Sequence, residues 1–170
     1  MSKKLIIFTT GYPYGNTDEP FLESEIPVLA RKFEQIIIFP RSKKNYNIRF
    51  LPANVIIDDR LIPEYKAKKI ALFKKFFHLF HVLFSSATSI KGVLRFWRNA
   101  KILLDNIAIS FVGAERMSSF FKDQNTKDFV VYDYWFYNAA FTIGLLKKKK
   151  LIEKAVCRAH GFDLYNERWG

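Results

Sequence analysis

The sequence of 170 residues contains a single cysteine, Cys157. One thiol cannot form an internal disulfide and cannot supply a zinc site built from several cysteines, so a reducing, cytoplasmic compartment is expected. Long apolar runs are missing as well. No stretch reaches the roughly 18 uninterrupted apolar residues of a membrane-spanning helix. The apolar run after the basic start Met1–Lys4 is too short for the core of a secretory signal peptide.

Two phosphate-binding motifs are also absent. The chain has neither a G-x-G-x-x-G nor a G-x-x-x-x-G-K-[ST] pattern, so neither a Rossmann dinucleotide site nor a P-loop is expected. Acidic residues are the scarcer charge, with 16 Asp and Glu against 28 Lys and Arg and a net charge of +12. This excess favours an anionic partner such as a phosphorylated substrate, an anionic membrane surface or nucleic acid. Since no RNP-like or helix-turn-helix pattern accompanies the charge, nucleic acid is not expected.

Apolar residues, in contrast, are abundant: they make up 49% of the chain and include 18 Phe, which is enough for the core of one domain. Short apolar segments bounded by turn residues predict buried strands, at Lys4–Thr9, Gln35–Phe39, Val55–Ile57, Phe129–Tyr134 and Lys154–Arg158. Helical spacing predicts helices at Phe21–Lys32 and Phe136–Lys147. Strands that are apolar on both faces and alternate with helices predict an α/β fold, a Rossmann-like three-layer domain with a mostly parallel sheet.

Residues 64–122 form a basic, Phe-rich region for which the pattern predicts two or three helices. In the first of them, 65–84, lysines lie beside Leu and Phe. That composition is typical of a surface that meets anionic lipid, and equally of a core helix with a solvated lysine face. His78 and His81 are three residues apart there, but no carboxylate lies nearby, so no metal site is predicted.

The predicted strand ends carry polar and aromatic side chains, and the carboxyl ends of parallel strands border the ligand crevice of α/β proteins. After the last strand come Arg158, His160 and Asp163. His160 is suited to hydrogen-bond or move a proton near a sugar or phosphate, although it could be a packed strand-end residue. Arg158 suits a phosphate or an acidic partner, and Asp163 could cap a following helix. Tyr134 and Trp135 could line an acceptor pocket or pack at the sheet edge.

The loop after the first strand has the position of a phosphate-binding turn. It contains Gly11, Gly15 and Asn16, and a helix follows. Glycines let backbone N–H groups approach a ligand, and a helix N-terminus favours an anion; the glycines could also serve only to shape the turn. Glu19 either contacts a ligand or caps the helix.

Two segments of the chain together resemble a known family. Phe8–Gly15 followed by Glu19–Ile26, together with Arg158–Tyr165, is similar to the N-terminal half of a bacterial family 4 glycosyltransferase. The resemblance covers essentially the whole chain and implies a GT-B architecture, in which two Rossmann-like domains face a cleft. This chain would be the single N-terminal, acceptor-side domain 1–170. The nucleotide-sugar domain with its E-x7-E motif is expected beyond Gly170.

The resemblance also implies an activity. Such enzymes transfer a sugar, with retention of configuration and without a metal or other cofactor, from a nucleotide sugar to a glycan or lipid-linked acceptor, often in cell-surface polysaccharide synthesis. A lipid-linked acceptor would give residues 65–101 a role in docking on the inner face of an anionic membrane. With the donor domain absent, the 170 residues alone are expected to be inactive. The alternative is a non-catalytic, flavodoxin-like module that binds an anionic ligand or partner.

Functional residues are carried over from the family by position. Gly11 and Gly15 match the first-loop glycines near the donor phosphate and acceptor, although this chain lacks the GG pair that many relatives have there. Glu19–Phe21 matches the start of the first helix, so Glu19 and Phe21 are expected beside the substrate. His160 matches the strand-end histidine that faces the donor sugar and is the expected catalytic residue. Asp163 matches the polar residue after it.

Overall fold

The computed structural model describes residues 3–15, 19–43, 47–62 and 108–159. Residues 1–62 and 114–170 belong to one compact unit and residues 63–113 to a second. Within the second unit, the described residues 108–113 are helical. The architecture that follows is that of the first unit.

A five-stranded sheet forms the centre of this unit. Its strands are β1 (Lys4–Thr9), β2 (Gln35–Pro40), β3 (Val55–Ile57), β4 (Phe129–Asp133) and β5 (Ala155–Cys157). Their order in the sheet is β3-β2-β1-β4-β5, and every neighbouring pair is parallel. The predicted α/β, Rossmann-like fold is therefore confirmed.

Helices connect and cover the strands. They are α1 (Leu22–Ala30), α2 (helical residues 108–122, of which 114–122 belong to this unit) and α3 (Phe136–Lys148), with a 3-10 turn at Asp59–Leu61. Charges at the helix ends suit the helix dipole, since α1 has Glu23 and Glu25 in its first turn and α3 has Lys147 and Lys148 in its last.

The alternation of side chains along the strands produces two cores, one on each face of the sheet. Leu5 and Ile7 of β1 point to the face covered by α1, where Leu22 and Ile26 are fully buried. The other face packs against α3 and the part of α2 from Ala114 onwards. Its buried members include Ile6, Phe8, Phe39, Met117, Phe121, Phe129, Val131, Ile143 and Leu146. Burial on both faces explains why β1 and β2 are apolar throughout rather than alternating. The outer strands are partly exposed, with Ile56 of β3 at 45% and Val156 of β5 at 56%.

The predicted element boundaries match the structure to within two residues. The bounds of β1 and β3 agree, β2 and α3 extend one residue further, and β4 ends one residue earlier. α1 begins one residue late and ends two early, and β5 loses one residue at each end. The predicted helices between residues 64 and 107 lie outside the described residues. Across the ranges given above, no helix is long and apolar enough to cross a membrane.

Candidate functional site

The strand order reverses between β1 and β4, and the carboxyl ends of these two strands mark the place where α/β proteins have their ligand crevice. The chain runs outward from β1 to β2 and β3 on one side of the sheet, and from β4 to β5 on the other. Phe8 lies beside Asp133 in the register of these strands, and the Tyr134 N–H donates to the Phe8 carbonyl at 3.1 Å. In open parallel sheets, ligands bind outside the carboxyl ends of the strands where the order reverses. This edge is therefore the candidate site.

The carboxylate of Glu19 organises the loop on the β1 side of the crevice. Its Oε1 accepts from the Thr10 N–H at 2.7 Å, and its Oε2 accepts from the N–H groups of Gly11 and Tyr12 at 3.1 and 2.9 Å. Glu19 is only 4% exposed and has a φ of 53°. Left-handed backbone costs a non-glycine residue about 1–2 kcal/mol, and three charge-assisted hydrogen bonds outweigh that cost.

This arrangement differs from the helix cap that was one of the two expectations for Glu19. The N-cap residue of α1 is Phe21, and no side-chain cap bond is made there. Glu19 contributes to the helix start through its main chain instead, because its carbonyl accepts from the Leu22 N–H at 3.1 Å. The Phe21 side chain is 61% exposed, so it lies on the surface beside the loop.

Gly15 and Arg49 close the other end of the loop. Gly15 has a φ of 74°, which glycine adopts without strain. Its carbonyl accepts from Arg49 Nε at 2.6 Å, and the Arg49 guanidinium lies 5.2 Å from the ring centre of Tyr12. Arg49 is 8% exposed, and its Nε is 3.9 Å from Glu23 Oε1. A buried cation thus holds the loop to α1.

Tyr12 is buried within this loop, beneath the Arg49 guanidinium. Burial raises the pKa of its hydroxyl to about 12, although the positive charge of Arg49 acts in the opposite direction. Its carbonyl accepts from Thr9 Oγ1 at 2.7 Å, and the Tyr12–Pro13 peptide is cis. The Tyr12 side chain is therefore uncharged at physiological pH and packs inside the loop.

Asp133 ends β4 and is completely buried. Its Oδ2 accepts from the Ala139 N–H of α3 at 3.3 Å, whereas Oδ1 has no hydrogen-bond partner among the described residues. Burial raises the pKa of this carboxyl to about 7; the hydrogen bond from Ala139 and the charge of Arg41 only partly oppose the shift, and Glu19 adds to it. The Asp133 carboxyl therefore holds its proton more readily than an exposed aspartate does.

Arg158 follows β5 and pairs with an acid. Its Nη1 forms a hydrogen bond and ion pair with Glu25 Oε1 of α1. The guanidinium also lies 5.5 Å from the ring centre of Tyr134. Hydrogen bonds to Glu25 and Tyr132 raise the pKa of Arg158 further. The sequence left two roles open for Arg158, a phosphate contact or an acidic partner. In the structure it pairs with an acidic residue, and this pair connects β5 to α1.

The two aromatic residues after β4 differ in exposure. Tyr134 is fully buried with Leu5, Ile7 and α1, and burial raises its pKa to about 12. Trp135 packs edge-on against it, with ring centres 5.5 Å apart, and is half-buried. Tyr134 therefore packs in the core beneath α1 rather than at the sheet edge, and Trp135 packs against that core as a partly buried residue.

A groove of about 600 Å³ opens between α1 and β5 beside this edge. Val28 and Val156 form part of its walls and are 49% and 56% exposed. The pair of Glu25 and Arg158 and the side chain of Tyr132 also line it. Apolar walls with a few polar groups are what ligand grooves generally offer.

The structure thus brings several of the predicted site residues to one edge of the sheet. Gly11 and Glu19 contact each other, Gly15 is held through Arg49, and Arg158 lies over Tyr134. Asn16, His160 and Asp163 lie outside the described residues. Within the described ranges, no three His, Cys, Asp or Glu side chains are grouped as metal ligands would be.

Sequence reasoning missed Asp133 and Arg49 as parts of this edge. Asp133 could have been found, because it is the polar residue that ends an apolar strand, the same signal that identified Arg158. Arg49 carries no such signal, since it lies in an irregular segment between β2 and β3 and acts through a contact with Gly15, 34 positions away.

Comparison with known proteins gives no match to a family model, to a curated protein or to a solved structure.

Proposed function

We propose that the chain is the acceptor-side domain of a retaining, metal-independent glycosyltransferase of GT-B architecture. It would take part in moving a sugar from a nucleotide sugar to a glycan or lipid-linked acceptor, in cell-surface polysaccharide synthesis. The observation that carries the proposal is the common edge of the sheet. The two segments that resemble family 4 glycosyltransferases are far apart in sequence, yet the described parts of both, at Thr10–Tyr12 with Glu19 and at Arg158, lie at the carboxyl ends of parallel strands.

The chemistry of this edge supports an uncharged, hydroxyl-bearing acceptor. The first-loop N–H groups are bonded to Glu19, so that loop does not present them to a phosphate. Trp135 is a partly buried aromatic residue at this edge, and the groove beside Arg158 offers apolar walls with a few polar groups. An aromatic surface with nearby polar groups suits the alternating polar and apolar faces of a sugar. The flavodoxin-like module that binds an anionic ligand or partner remains the alternative.

In this proposal His160 faces the donor sugar, and a second domain outside the 170 residues holds the nucleotide sugar. The protein chain has two tasks at the edge described here. Glu19 and Arg49 fix the shape of the first loop, and Trp135 with the α1–β5 groove receives the acceptor. Positioning of this kind lowers the barrier because the reacting groups are held in a productive orientation before the reaction.

Sugar transfer by the full gene product, measured with a panel of nucleotide sugars, tests the proposal. We expect transfer to fall steeply in His160→Ala and to remain in Glu34→Ala, a truncation at an exposed residue beyond the C-terminal end of α1. Trp135→Ala should raise the KM for acceptor more than it lowers kcat. Equal transfer by His160→Ala and Glu34→Ala, or no transfer from any donor, would contradict the proposal.

We also propose that residues 65–101 dock on an anionic membrane. The support is the sequence pattern of lysines beside phenylalanines, which combines electrostatic attraction with apolar insertion. Co-sedimentation with vesicles of phosphatidylcholine, with and without phosphatidylserine, measures it. Binding that does not depend on the anionic lipid would contradict the proposal.

A further inference from the structure

The turn after β1 has the geometry of an anion-binding nest. The N–H groups of Gly11 and Tyr12 are consecutive in the chain and converge on one oxygen, Glu19 Oε2, and the Thr10 N–H takes the other oxygen. Successive N–H groups that point into one concavity bind oxyanions in many proteins. Here the oxyanion is a side chain of the same chain, and it is almost fully buried.

We propose that this nest is an oxyanion site and that Glu19 fills it as an intramolecular ligand. Glu19 is then the residue that determines specificity at the first loop, because it excludes phosphate and carboxylate groups of other molecules. The inference concerns the loop itself and does not depend on whether the chain transfers sugar.

Two features of the loop show why the nest needs an anion. Gly11 and Tyr12 are buried, so without Glu19 their N–H groups would lose an acceptor that water does not readily replace. The chain also accepts a left-handed backbone at Glu19, with a φ of 53°, to bring the carboxylate there. A residue that is strained and buried for the sake of three hydrogen bonds marks a site whose occupation matters for the fold of the loop.

The same backbone conformation makes a clean test possible. Glycine adopts a positive φ without strain, so Glu19→Gly removes the carboxylate and leaves room in the nest while keeping the backbone. Glu19→Gln removes the charge but keeps a side chain of the same size in the nest. Glu34→Gly makes the same charge change at an exposed residue beyond the C-terminal end of α1. It controls for the general attraction of anions to a chain of net charge +12.

Thermal unfolding of the 170-residue chain is measured in sodium chloride, sodium acetate and sodium phosphate at equal ionic strength. We expect Glu19→Gly to have the lowest Tm in chloride and to regain Tm saturably with acetate and phosphate, by about 3–6 °C at ten times the dissociation constant. The wild-type chain, Glu19→Gln and Glu34→Gly should show no such specific rise.

Three results would overturn the inference. The first is a folded Glu19→Gly whose response to acetate and phosphate equals that of Glu34→Gly. The second is an equal gain in Glu19→Gln, because that gain would reflect charge alone. The third is a Glu19→Gly that fails to fold in acetate and in phosphate while Glu19→Gln folds, since an external oxyanion would then be unable to replace the side chain.

Discussion

Replacing Asp133 by asparagine should change how the stability of the chain depends on pH. Burial raises the pKa of this carboxyl from its ordinary value of 3.8 to about 7. The folded chain therefore holds the Asp133 proton more tightly than the unfolded chain. As the pH rises from about 4 to about 7, the unfolded state ionises first and stability falls, and above that range the loss is complete.

The size of the effect follows from the shift. About three pKa units at 1.36 kcal/mol each correspond to a total of about 4 kcal/mol. Roughly 3 kcal/mol of this is lost between pH 5 and pH 8, because the unfolded carboxyl is already largely ionised at pH 5. In Asp133→Asn the amide oxygen can still accept from the Ala139 N–H, and no proton is lost, so this component of the pH dependence disappears.

Urea denaturation of the wild type and Asp133→Asn at several pH values from 5 to 8 measures the difference. The variant should gain about 3 kcal/mol relative to the wild type across this range, while Asp123→Asn, at an exposed carboxylate, should follow the wild type. Cys157 gives a second readout. Burial and then the charge of Asp133 raise the pKa of its thiol, so iodoacetamide should react faster with Cys157 in Asp133→Asn at pH 8. Parallel stability profiles for the wild type and Asp133→Asn would refute the reasoning.

Three further predictions concern packing and charge. Arg49→Ala removes the buried donor to the Gly15 carbonyl and should cost about 2–4 kcal/mol in urea denaturation; a loss below about 1 kcal/mol would show that the loop does not depend on this bond. A double-mutant cycle on Glu25 and Arg158, whose side chains are 30% and 41% exposed, should give a coupling below about 1 kcal/mol that shrinks in high salt. A coupling that salt leaves unchanged would contradict that expectation. Phe121→Ala, at a residue 1% exposed, should cost about 3–5 kcal/mol in the same denaturation assay, and a near-neutral result would mean that its core is loosely packed.

The sheet could be predicted from the sequence because each strand is a short apolar run with clear limits. Ile36 to Phe39 leads directly into Pro40, and Val55–Ile57 is bounded by polar residues. Burial on both faces could be predicted correctly for β2, whereas Ile56 of β3 is 45% exposed. The register and order of the strands could not be predicted from composition, because many different strand pairings would bury these apolar segments equally well. They depend on the packing of α1 and α3 against opposite faces.

The candidate site was predictable only in part, for a reason that Glu19 illustrates. Its position before α1 indicated a polar contact, and the sequence left a ligand contact and a helix cap as the alternatives. The observed contact instead reaches back to residues seven to nine positions earlier, and it requires a backbone conformation that glutamate rarely adopts. Likewise, the packing of Tyr134 into a core follows from the three-dimensional path of the chain and not from its neighbours in sequence.

The lengths of the outer strands affect how copies of this chain behave at high concentration. β3 and β5 are the outermost strands of the described sheet, and each has three residues, whereas β1 and β2 have six. An approaching strand from another molecule would therefore find few main-chain groups to pair with along either side. Repulsion between chains of net charge +12 adds a barrier at low ionic strength. High salt screens the repulsion between chains but does not change the lengths of β3 and β5. The protection that short outer strands give against ordered aggregation therefore persists in high salt.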